Sequence, residues 1–124
     1  MNIALWIVAI VLAVGFAAAG AIKLSQSKDK LAASGMGWTE SYSESAVKAI
    51  GAVEVLGAVG LILPAVVGLA PILVPLAATG LALVMAGAIV THARRGETQP
   101  IVINVVLLAL AAFVAWGRFG PYAF

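Results

Sequence analysis

The sequence predicts an all-α integral membrane protein, a four-helix bundle with a short amphipathic segment on the cytoplasmic side between its first and second helices. Two observations carry this prediction. Hydrophobic residues make up 64% of the 124-residue chain and charged residues only 10%, whereas a water-soluble domain carries about 25% charged residues. The apolar residues also gather in stretches that supply four crossings of a hydrocarbon core ~30 Å thick, at ~20 residues per crossing. The chain is therefore read as one transmembrane domain, residues 1–124, with helices at about 3–22, 44–67, 70–93 and 98–118.

The first span runs from Ile3 to Ile22 without a charged or strongly polar side chain, and Lys23 closes it. Ala17-Ala18-Ala19 has the look of a signal-peptidase site, but Met1-Asn2 offers no basic n-region and the apolar run exceeds the ~7 to 15 residues of a signal h-region. A retained helix is expected. Lys23 to Ser43 is the only sizeable polar segment. Leu24, Leu31 and Ala32 alternate there with Lys28, Asp29 and Lys30, predicting a short interfacial helix that stops near Gly35 and Gly37. Trp38 and Tyr42 are expected at headgroup depth.

Residues 49–91 carry one charge, Glu54, and at ~1.5 Å per residue they are too long for a single crossing. Pro64, Gly68 and Pro71 mark the reversal, because proline cannot donate inside a helix and glycine suits a helix end. Ser41-Tyr42-Ser43-Glu44 has capping-box spacing and places the start of the second span near Ser41. Pro75, one turn inside the third span, is expected to loosen that end. The fourth span runs from Thr98 to Arg118, with Pro100 suited to its first turn and Trp116 near its far end.

Lys23, Lys28, Lys30, Lys48, Arg94 and Arg95 fall at one end of these spans and Arg118 alone at the other. The positive-inside rule then puts the six-cation end in the cytoplasm, with both termini and the Pro64–Pro71 hairpin outside. Trp6, Trp116 and Tyr122 form the outer aromatic belt. Lipid tails are as apolar as leucine, so helix packing must draw on close approach of small residues. Gly51, Gly57, Ala58 and Gly60 in the second span and Gly80, Gly87 and Ala88 in the third are the candidates.

The chain has no cysteine and one histidine, His92. Thiol-disulfide exchange, iron-sulfur ligation and a two-histidine haem site therefore cannot be built from its own side chains. No metal site and no resident cofactor are expected. The net charge of +2 reflects membrane orientation rather than a nucleic-acid partner.

Glu54 is the residue to explain. It lies six positions beyond Lys48, about 9 Å into its span, where a carboxylate costs ~2.5 to 3.5 kcal/mol on insertion scales. It needs a partner or a neutral form. Lys23, His92 and Asn104 lie toward the same end of the other three helices, so each helix contributes one polar group at similar depth. One reading makes these four residues structural glue, with Lys23 and Glu54 as an internal ion pair and Asn104 bonding across helices. The other makes them a ligand-binding cluster. His92, close to Arg94 and Arg95, reads by itself as a headgroup contact. Thr79 and Thr91 are expected to bond back to their own helix.

Ala19-Gly20-Ala21-Ile22-Lys23-Leu24 closing the first span, Glu54-Val55-Leu56-Gly57-Ala58-Val59-Gly60-Leu61-Ile62-Leu63-Pro64 in the second, His92-Ala93-Arg94-Arg95-Gly96-Glu97 after the third and Gly117-Arg118 ending the fourth resemble the DoxX-like family over nearly the whole chain. The resemblance implies a small four-helix bacterial plasma-membrane protein, related to DoxX proteins, to the small subunit of thiosulfate:quinone oxidoreductase and to a methylamine-utilisation membrane protein. It implies an accessory or anchoring subunit of a quinone-linked redox system rather than a stand-alone enzyme, with a membrane or peripheral oxidoreductase as partner. It also points again to Lys23, Glu54 and His92. The alternative is a binding or proton-coupled transport protein that holds a small molecule, a quinone or a lipid at Glu54. Either reading places the chain in a lipid bilayer, and a homo-oligomer stays open.

Overall fold

The computed structural model describes every residue, Met1–Phe124. It is all helical: α1 (Asn2–Ser25), α2 (Lys28–Ala33), a 3-10 turn (Gly37–Ser41), α3 (Glu44–Val67), α4 (Leu73–Arg94) and α5 (Thr98–Phe119). All but α2 and the 3-10 turn are long and apolar enough to cross a membrane.

Two boundaries and one cap differ from the sequence reading, each for a local reason. α1 continues past Ile22 to Ser25, because the charge of Lys23 turns inward to a partner instead of ending the span in water. α3 is capped by Ser43, whose hydroxyl accepts from the Ala46 amide at 3.1 Å. Glu44 is then the first helical residue, and the capping-box geometry from Ser41 is not formed; Ser41 instead accepts a hydrogen bond from Arg95. α4 starts at Leu73 rather than residue 70, since Ala70 has a φ of 48° and Pro71–Ile72 complete the turn. Pro75 thereby falls in the first helical turn, where its missing N–H is no loss. Gly68, at φ 68°, ends α3 in the left-handed region that favours glycine.

The four long helices form a closed ring: α1 packs on α3, α3 on α4, α4 on α5, and α5 returns to α1. Glycines set the closest approaches. A Cβ on Gly20 would lie 2.5 Å from the Gly51 carbonyl oxygen, and one on Gly51 would lie 2.9 Å from the Gly20 oxygen, so α1 and α3 touch backbone to backbone. Gly57 and Gly60 receive Leu81 and Ala77 of α4, and Gly117 of α5 receives Leu5 of α1. Gly80 and Gly87 meet nothing within 4 Å and do not carry the contact expected of them. The interior holds Leu12, Phe16, Leu61, Leu81, Met85 and Val114, while Ile3, Val14, Leu56, Leu69 and Leu83 point outward. That apolar exterior is the pattern a lipid solvent requires.

Candidate functional site

The α1–α3 crossing builds the centre of the site. Lys23 stands one turn after Gly20 and Glu54 one turn after Gly51, on the same faces as the touching glycines. The two side chains meet there, with Lys23 Nζ donating to Glu54 Oε1 at 2.7 Å. Their side chains are only 9% and 3% exposed, so the pair is sealed from bulk water. Lys48 reaches across from α3 and donates through Nζ to the carbonyls of Lys23, Leu24 and Gln26, satisfying the open C-terminal end of α1. No sequence signal singled out Lys48 for this task.

His92 ends α4 on the inner side of the ring. Gly96, at φ 71°, turns the chain back, and the Glu97 amide donates to the His92 carbonyl at 2.9 Å. Their side chains then meet, with His92 Nδ1 and Glu97 Oε1 2.8 Å apart. The hydrogen bond from His92 holds the Glu97 carboxyl below the usual glutamate range, with Arg95 assisting. His92 is therefore a buried, carboxylate-oriented imidazole rather than a headgroup contact. The spacing His92-x-x-x-Gly96-Glu97 could have revealed this, since a glycine turn is what brings the carboxylate back.

The segment between α2 and α3 closes this end of the bundle. Tyr42 hydrogen-bonds Thr91 through its hydroxyl, and Arg95 Nη1 donates to Ser41 Oγ at 3.2 Å. Thr91 also donates to the Gly87 carbonyl, as Thr79 does to that of Pro75. Trp38 sits edge-on to His92 at 6.4 Å and beneath the Lys23 ammonium at 5.8 Å. The two aromatics read as interfacial residues thus also form a roof.

Beneath that roof lies a cavity of about 420 Å³. Lys23, Glu54, His92 and Asn104 all line it, together with Trp38 and Tyr42. The remaining wall is mostly apolar, with Phe16, Met85 and Leu107 prominent. Asn104 is 9% exposed and its Nδ2 has no hydrogen-bond partner, so it does not bond across helices. A buried amide left open is costly in an apolar medium, and here it borders a space large enough for a ligand.

The cavity reaches the outer surface of the bundle along α1. Val11, 58% exposed, and Gly15, exposed and with open space where a Cβ would stand, belong to its lining. Across from them stand Asn104 and Leu107 of α5. α1 and α5 touch at the other end, where Leu5 fills Gly117. Gly87 of α4 is a second exposed part of the lining.

A family model described as the DoxX-like family matches residues 7–114, which include all four polar positions. No curated protein and no solved structure matches the chain.

Proposed function

The chain belongs to the DoxX-like family of membrane proteins, and we propose that it holds an amphipathic, membrane-dissolved small molecule, a quinone or a lipid, inside its helix bundle. The observation that carries this reading is the cavity itself: a polar floor of Glu54, Lys23, His92 and Asn104, an apolar wall, and exposed lining at Val11 and Gly15. A polar head takes the open amide of Asn104, and an apolar tail leaves between α1 and α5 without crossing water. Because Lys23 and Glu54 neutralise each other, a head without net charge suits the floor best.

An accessory role beside a quinone-linked oxidoreductase is the setting this reading favours. The chain's own residues supply one imidazole and no thiol, so electrons pass through a partner or the bound molecule and the bundle positions that molecule. We place the protein in the bacterial plasma membrane with the Lys23 end in the cytoplasm, on the strength of its six cations there against one at the other end.

Trp38 borders the cavity and reports on occupancy. In a variant that keeps Trp38 alone, with Trp6→Phe and Trp116→Phe, a one-ring quinone with a short isoprenoid tail is expected to quench its fluorescence saturably. Asn104→Leu should weaken that binding about tenfold, the factor for one lost hydrogen bond of ~1.4 kcal/mol. Non-saturable quenching that Asn104→Leu leaves unchanged counts against a quinone in this site.

A further inference from the structure

The other end of the bundle carries a second feature that the cavity does not use. Arg118, in the last turn of α5, is 4% exposed. Three stretches of chain converge on it: the start of α1, the α3–α4 hairpin and the residues after α5. Nη1 donates to Asn2 Oδ1 at 2.6 Å and to the Tyr122 carbonyl at 2.9 Å. The guanidinium lies 4.0 Å from the Phe124 ring centroid and 5.8 Å from that of Trp6.

No side-chain carboxylate pairs with this cation. The chain has five acidic residues, and Asp29, Glu40, Glu44 and Glu97 all belong to the Lys23 end, while Glu54 is taken by Lys23. An enclosed cation without a counter-charge is strongly unfavourable. Both N–H groups of Nη1 are used within the chain, whereas Nε and Nη2 make no hydrogen bond. That free edge is the one with which arginine grips two oxygens of a phosphate at once. Beside it lies a cavity of about 210 Å³, lined by Arg118, Phe124, Pro71 and Ile72.

We propose that Arg118 forms a phosphate site at this end of the bundle, occupied by the headgroup phosphodiester of an anionic phospholipid in the adjoining leaflet. The aromatic residues Trp6, Trp116 and Tyr122 lie at the same end, and tryptophan and tyrosine are the residues that gather at headgroup depth. A zwitterionic headgroup brings its own cation and gains less from the site. An anionic one supplies a negative charge that no side chain at this end supplies.

Trp6 gives a local readout, a bundle's length from the six cations of the opposite end. The full chain carrying Trp38→Phe and Trp116→Phe is reconstituted into phosphatidylcholine vesicles with either brominated phosphatidylcholine or brominated phosphatidylglycerol. Quenching of Trp6 should favour phosphatidylglycerol about fivefold, the factor for the ~1 kcal/mol that one cation gains near an anionic surface. Arg118→Gln should bring the ratio to about one, and Arg118→Lys, which keeps the charge but not the fork, should give an intermediate value. A ratio of one with Arg118 present, or an unchanged ratio in Arg118→Gln, overturns the proposal. Inorganic phosphate at millimolar concentration should leave the preference intact; if it abolishes it, the site takes a soluble anion and the lipid assignment fails.

Discussion

Glu54 keeps its place in a hydrocarbon layer because Lys23 reaches inward from one turn nearer the end of the bundle and meets it at 2.7 Å. The stability of this pair depends on both members being present. Replacing a buried ion pair by apolar side chains is often neutral, whereas removing one member leaves a charge unpaired and costs about 3–5 kcal/mol. In mixed-micelle unfolding, Lys23→Met and Glu54→Leu should each lose stability on that scale, and the double variant should recover most of it. Simple additivity of the two losses would show that the pair is not energetically coupled. Glu54 was legible from sequence as the one charge inside a span, and Lys23 as a partner at similar depth. Arg118 and Lys48 were read only as markers of orientation, because hydropathy places a residue along the membrane normal and says nothing about which way its side chain turns. Of the two readings of Asn104, a bond across helices and a place in a binding cluster, the structure does not form the first and leaves its amide open beside the cavity.

At the level of elements, spans were legible and contacts were not. Hydropathy, length and proline positions located all four long helices to within about three residues. Which glycines face a neighbour depends on helix rotation, and that is set by the whole ring. Gly51 and Gly80 both sit within apolar runs, yet a Cβ on Gly51 would meet backbone at 2.9 Å and one on Gly80 would meet nothing. Gly51→Ala should therefore destabilise by about 1–3 kcal/mol, the usual range for overpacking a close contact. Gly80→Ala should stay within about 0.5 kcal/mol of the parent. Equal effects in the same unfolding assay would contradict the α1–α3 crossing. The short helix expected within Lys23 to Ser43 is α2, capped by Ser27 and followed by Gly35 at a φ of 104°, while the 3-10 turn Gly37–Ser41 was not read from the sequence. Its role as a roof depends on Tyr42–Thr91 and Arg95–Ser41, contacts between residues far apart in the chain.

Taken as a whole, the molecule exposes many large apolar side chains and places its buried ionisable groups in two settings at opposite ends. Its charge asymmetry predicts that a reporter fused after Phe124 reads as external and one inserted near Gly96 reads as cytoplasmic; the reverse pattern would overturn that orientation. The polar groups at the Lys23 end surround a space with an apolar wall, an open amide and exposed lining at Val11 and Gly15, an arrangement suited to holding a molecule drawn from the bilayer. Gly15 allows this to be tested with little risk to the fold, because a side chain there has open space before it. Native mass spectrometry of the detergent-purified protein is the most direct measurement. The parent chain should carry one small amphipathic molecule per protein, and Gly15→Phe, which places a ring at the mouth of the cavity, should lose it while remaining folded. An unoccupied parent, or equal occupancy in Gly15→Phe, would contradict the account.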